Sequence, residues 1–189
     1  MISSKRNYEA FFLRVRPSSI YPIDYLSTTM LEVERLLSEK GIEYRLVELS
    51  DRAMTVADVA LYSKGDINVE EICKTVIMSD GEGNRYAFLL IGTDRVDIVK
   101  ARRLTGKNLR IATAAEVRDS TGVDPGAVCP LTLRIPLIVD TNITILSHVN
   151  FGSGHHLYGV EMKTSDLLHT FHNPLADIAE RKRTLSPQK

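Results

Sequence analysis

Apolar residues recur at Leu26, Met30, Val33 and Leu37, the spacing that lines one face of a helix. Gly41 follows where a helix commonly stops. Tyr44–Leu49 alternates apolar and polar residues in part and predicts a strand. Thr55 and Asp58 stand at capping distance ahead of a short helix to Tyr62. After Gly65, a helical piece at Val69–Cys73 leads through Lys74 into the apolar strand Thr75–Met78. Ser79–Asn84 (SDGEGN) is turn chemistry, so Arg85–Ile91 reads as the returning strand of a hairpin.

The second half is less regular. Asp94–Leu104 predicts a helix with Val96, Val99 and Leu104 apolar and Lys100, Arg102 and Arg103 charged. Leu109–Ala112 reads as a short strand, and Thr113 with Glu116 forms a capping box for a helix to Ser120. Ile135–Val139 is a strongly apolar strand, and Ile143–Leu146 is expected to be a further piece of sheet. Asn150–His156 is a glycine-rich turn, followed by a strand at Tyr158–Met162. Ser165 caps a helix through Phe171, and Pro174 opens one more, ending at the basic Arg181–Arg183. Ahead of all this, Tyr8–Val15 predicts a short helix before Pro17 and Pro22 break the chain.

Strands interleaved irregularly with short helices imply a mixed α+β fold, an α/β domain whose curled mixed sheet is surrounded by helices. Residues 1–25 are read as an N-terminal extension, 26–173 as the main domain, and 174–189 as a C-terminal helix with a basic tail. The 189 residues, 43% hydrophobic, can bury one good core. The formal net charge is zero, so a polyanion would be held by a local patch and not by overall attraction. Cys73 and Cys129 match no metal spacing and no disulfide framework, which points to a reducing, cytoplasmic setting. No apolar run reaches the roughly 18 residues of a membrane span, and no metal or other cofactor is expected.

Candidate chemistry gathers at Thr121–Pro136, TGVDPGAVCPLTLRIP. Glycine reaches backbone angles closed to other residues and proline donates no hydrogen bond, so this is a shaped loop entering a strand. Its N–H groups suit a carbonyl oxygen that becomes an oxyanion, although on spacing alone a plain structural loop is the favoured reading. Lys74 can lay its stem along the wall made by TVIM while its ammonium holds a phosphate or a ribose; an ordinary edge lysine is the alternative. His155 and His156, read as adjacent strand residues, should face opposite ways, leaving at most one for a pocket. Lys100, Arg102, Arg103, Lys107 and Arg110 place five cations within eleven residues, either a solvated helix face or a grip on a nucleic-acid backbone.

These landmarks together resemble the YbaK family, freestanding relatives of the editing domain inserted in bacterial prolyl-tRNA synthetases. The resemblance covers about residues 28–172: EICKTVIM, YAFLLIGTDRVDIVKARRLTG, KNLRIATAAEV, the GxxxP loop Gly126–Pro130, IPLIVD and HHLYGVEM. It implies a YbaK-like fold that hydrolyses the ester of mischarged tRNA, typically alanyl or cysteinyl on proline tRNA, without metal or nucleotide. It also implies Lys74, Gly126 and Pro130 as catalytic positions. Ala127, Val128 and Cys129 would then bind substrate, and His156 would bound the amino-acid pocket. Lys100, Arg102, Arg103, Lys107 and Arg110 become the candidate tRNA contacts, and prolyl-tRNA synthetase a candidate protein partner.

One departure is Cys129-Pro130-Leu131-Thr132, where many members carry Ser-Pro-x-Gly. Two rival readings therefore stand beside the deacylase. One is a non-catalytic tRNA- or synthetase-binding module of the same fold. The other is a cysteine hydrolase using Cys129, disfavoured because a buried thiol is usually inert.

Overall fold

The computed structural model describes residues 30–180. The expected helix at Tyr8–Val15, the extension that holds it and the tail Arg181–Arg183 lie outside that range.

The apolar face at Val33 and Leu37 forms helix α1 (Glu32–Glu39), with both side chains fully buried. Strand β1 (Tyr44–Glu48) and helix α2 (Val56–Tyr62) follow, the helix closed by the expected box: Thr55 Oγ1 accepts from the Asp58 N–H, and Asp58 accepts from the Thr55 N–H. The hairpin is β2 (Cys73–Ser79) with β3 (Arg85–Ile91), antiparallel, Lys74 facing Leu90 in register. Helix α3 (Ile98–Thr105), strand β4 (Arg110–Ile111) and helix α4 (Ala114–Thr121) lead to the glycine- and proline-rich loop. Beyond it come β5 (Leu137–Asp140), β6 (His148–Gly152), β7 (Tyr158–Lys163), α5 (Thr164–Phe171) and β8 (Leu175–Ala176).

The expected mixed sheet is realised as two. One is antiparallel with order β1-β7-β6; the other is mixed with order β4-β2-β3-β5-β8. They meet at a parallel bridge between Ile72 and Asn150. Successive side chains of a strand point to opposite faces, and here both faces of the larger sheet are covered. Ile77, Ala87, Leu89 and Val139 pack with α1, β6, β7 and α5 on one side. Met78, Phe88, Leu90 and Ile138 pack with Val96, Ala101 and Ile178 on the other. That two-sided burial explains the unbroken apolar run of β3.

Three expectations are corrected. Ile143–Leu146 is not sheet: Asp140 Oδ1 accepts the Asn142 N–H at 2.9 Å and turns residues 141–145 into a 3₁₀ helix. The glycine-rich turn is shorter than read, since Asn150–Gly152 belong to β6 and only residues 153–157 turn. The helix after Pro174 is absent among the described residues. Instead Leu175 pairs with Val139, and the fully buried Asp140 accepts the Ile178 and Ala179 N–H groups at 2.9 and 3.0 Å. A buried carboxylate requires such donors, and that fixes the segment as extended chain.

Helix α4 delivers the chain into the loop, so its anchor matters to the site. Glu116 caps it by accepting the Thr113 N–H at 2.8 Å. The same carboxylate takes two bonds from Arg110, each 2.8 Å, and one from Arg85 of β3 at 3.0 Å. Arg110 and the Thr113 backbone hold the Glu116 carboxyl well below its ordinary value of 4.5. A carboxylate depressed in the folded state adds stability above its unfolded pKa and loses it as pH falls. Glu116→Gln should therefore lower the melting temperature at neutral pH, with the gap to the parent closing in acid. Thermal melts between about pH 7 and pH 2 check this; a gap independent of pH would refute the role given to the charge.

Candidate active site

A cavity of about 460 Å³ opens where the start of β2, the segment from Ala53 to Val59, Gly92, Gly152 and the loop at Gly126 and Val128 converge. Lys74 is half-buried in its wall. Burial pushes the lysine below its ordinary pKa, opposed by the Asp94 carboxylate and reinforced by Arg95. The ammonium is thus partly stripped of water, which sharpens its attraction for an anionic or hydroxyl-rich ligand.

Glycines let three pieces of backbone touch here. A Cβ on Gly152 would lie 2.8 Å from the Ala127 carbonyl and from the Val128 oxygen. One on Gly126, whose φ is +93°, would lie 2.7 Å from the Ala53 oxygen. The loop is also tied internally: Ala127 donates its N–H to Asp124 at 3.2 Å, and its carbonyl accepts from Gly154 at 2.8 Å. That engages one of the N–H groups the sequence leaves open. Gly126 and Val128 line the cavity, and their N–H groups take no hydrogen-bond partner among the described residues.

A side pocket of about 50 Å³ adjoins this cavity, sharing Ala53, Ile72, Cys73, Gly126 and Gly152. Asn150, His155, His156 and Tyr158 line it further. The expectation that the two histidines face apart is corrected: they sit in the 153–157 turn, where strand alternation does not apply, and both reach the same pocket. His155 Nδ1 accepts the Leu157 N–H at 3.2 Å, while His156 Nε2 lies 3.6 Å from Asp124 Oδ2. Buried polar atoms are normally paired. Yet Thr75 Oγ1 in the main cavity, and Asn150 Nδ2 and His156 Nδ1 at the side pocket, have no partner among the described residues. The Cys73 thiol nearby is inert, its pKa pushed by burial up to about 12.

Lys74, Gly126 and Val128 are thus brought to one cavity, with His156 beside it. Ala127 is buried and lines neither space. Cys129 and Pro130 face elsewhere. Cys129 lines a separate small cavity with Leu31, Glu32 and Thr121, and burial raises its thiol pKa. Pro130 lines a third cavity with Tyr86, Leu133 and Phe171.

Three of the five residues of the basic cluster are ion-paired within the protein. Lys100 bonds Asp177 and the Ala179 carbonyl, both at 2.8 Å, and Arg102 bonds the Leu109 carbonyl at 3.0 Å. Lys107 pairs with Glu82 at 3.4 Å and Arg110 with Glu116, while Arg103 is exposed. Residues the sequence reading missed are Thr75, Asn150 and the Arg52–Asp124–Arg118 group. Asp124 lies inside the singled-out loop, but nothing in the linear pattern marks its partners.

Residues 51–170 match the model of the aminoacyl-tRNA editing domain. Among solved structures, the chain is similar to hypothetical protein APE2540, with 31% identity and a TM-score of 0.71, covering 78% of this chain and 99% of that one. It is also similar to a candidate trans-editing enzyme for prolyl tRNA synthetase, with 30% identity and a TM-score of 0.65, covering 79% of this chain and 95% of that one.

Because the atoms facing Gly152 are backbone, Gly152→Ala cannot be absorbed by a rotamer change. Overpacking of this kind costs about 1–3 kcal/mol. Urea unfolding should show that loss. A variant as stable as the parent would mean the loop yields more easily than its contacts imply.

Proposed function

Since the chain belongs to the aminoacyl-tRNA editing domain family, we propose that it is a trans-acting deacylase that hydrolyses the ester of mischarged tRNA. The acyl group is a small amino acid such as alanine or cysteine, the carrier is proline tRNA, and the reaction runs in the cytoplasm alongside prolyl-tRNA synthetase. The observation that carries the reading is the convergence of Lys74 and the Gly126–Val128 backbone on one cavity with a small side pocket.

In this reading Lys74 holds the terminal ribose or a phosphate of the tRNA and aligns the ester with the loop. Water adds to the ester carbonyl carbon, and the carbonyl oxygen becomes an oxyanion facing the Gly126 and Val128 N–H groups. One such donor is worth about 3 kcal/mol in the transition state. Collapse breaks the bond between carbonyl carbon and ribose oxygen. The water's proton passes to that oxygen, freeing the hydroxyl and the amino acid. An aminoacyl ester is already activated, so the neighbouring ribose hydroxyl suffices to relay the proton.

The side pocket takes the amino-acid side chain. Its small volume, about 50 Å³, suits a methyl or mercaptomethyl group. His156, held between the turn and Asp124, is the wall that excludes larger groups.

Lys74→Ala should cut deacylation of alanyl-tRNA by about a hundredfold or more, through lost alignment, with an unchanged melting curve; near-parent turnover would sink its role. His156→Ala should retain activity on alanyl- or cysteinyl-tRNA within roughly tenfold and begin to cleave bulkier esters. A uniform loss of about a hundredfold across the panel would instead make His156 the general base. Tight tRNA binding without turnover of any ester would favour the non-catalytic module.

A further inference from the structure

Of the five cations the sequence offered for tRNA, Lys100, Lys107 and Arg110 are ion-paired, Arg102 bonds a backbone carbonyl and Arg103 is exposed. A different cationic group borders the cavity. Asp124, two residues before Gly126, holds Arg52 on Oδ2 and Arg118 on Oδ1, each at 2.7 Å. His156, which lines the side pocket, lies 3.6 Å from the same Oδ2. Arg52 directly precedes Ala53, whose chain bounds both the cavity and the side pocket. The cluster is therefore built onto the rim.

We propose that Arg52 and Arg118 form a phosphate-binding site for the single-stranded 3′ end of the tRNA, oriented by Asp124. This rests on the deacylase reading and names the contact that holds its substrate. Two guanidinium ions against one carboxylate leave an excess positive charge. Each Arg uses one nitrogen on Asp124, and each guanidinium carries five N–H donors, so each keeps donors in the fork that suits a phosphate. Their side chains are 44% and 55% exposed, against 23% for the carboxylate, so the cations face solvent and the anion sits inside. Arg52 lies on the loop before α2 and Arg118 on α4, and Asp124 fixes the distance between them in advance of binding. A preset pair loses less side-chain freedom when the phosphate arrives.

The same contacts could instead serve only to strap two loops together. Substitutions of opposite charge sense separate the two roles. In the binding role, the Arg52→Gln, Arg118→Gln double variant loses affinity for uncharged tRNA by roughly tenfold at low salt. Its log–log salt slope falls by about 1, the value for one or two phosphate contacts on a single strand. Asp124→Asn loses the preset spacing but removes the competing negative charge, which outweighs it, so that variant binds tRNA as tightly as the parent or more so. In turnover, the double variant loses about tenfold more on alanyl-tRNA than on alanyl-adenosine, an ester without phosphates, and the loss appears in KM.

An unchanged salt slope would overturn the site. So would Asp124→Asn losing tRNA affinity as severely as the double variant, which is the signature of a strap, or equal losses on both esters. The binding arm uses uncharged tRNA and needs no turnover. Absence of hydrolysis by the parent would thus count against the deacylase, while the salt slope and the Asp124→Asn affinity still decide the phosphate site.

Discussion

The backbone of residues 126–128 lies so close to Ala53 and Gly152 that no side chain fits between them. Everything proposed for the site depends on that contact. It brings a loop from after α4 against the last residue of β6, and it leaves Gly126 and Val128 on the wall that Lys74 also reaches. The proposed oxyanion site needs donors set in place before the reaction, and two glycines fix this loop by allowing backbone to pack on backbone. The cost falls on sequence freedom: Gly126 holds a positive φ, and Gly152 faces carbonyl atoms that cannot swing aside.

Around this contact, charge is used chiefly to position chain. Asp140 is fully buried and takes two N–H groups from the C-terminal segment, which Lys100 clasps from the other side through Asp177 and the Ala179 carbonyl. Glu116 draws β3, β4 and the start of α4 together through Arg85 and Arg110. Exposed pairs add little stability singly, but a shared carboxylate orders several elements at once. Glu116 and Asp124 each hold two guanidinium groups; what distinguishes Asp124 is its place at the rim. There the device leaves guanidinium donors facing solvent beside the cavity.

The sequence by itself determined the elements and much of the site. Val33 and Leu37 marked a buried helix face, Thr55 and Thr113 marked helix starts, and the SDGEGN turn marked the hairpin, because each depends on neighbours within a few residues. Lys74 and Gly126 were legible through their motifs, and the structure places them on one cavity. Only the tertiary structure decided what depended on distant partners. The basic run at Lys100–Arg110 gave no sign that Asp177 and Glu82 would pair with Lys100 and Lys107 from elsewhere in the chain. The stretch after Pro174 became a strand because Asp140 offered a buried acceptor, and His155 joined His156 at one pocket because they fell in a turn. Arg52 and Arg118, 66 residues apart in sequence, share Asp124 only once the chain has folded. Local periodicity reports which side of an element is apolar; it carries no record of which charges will meet across the fold.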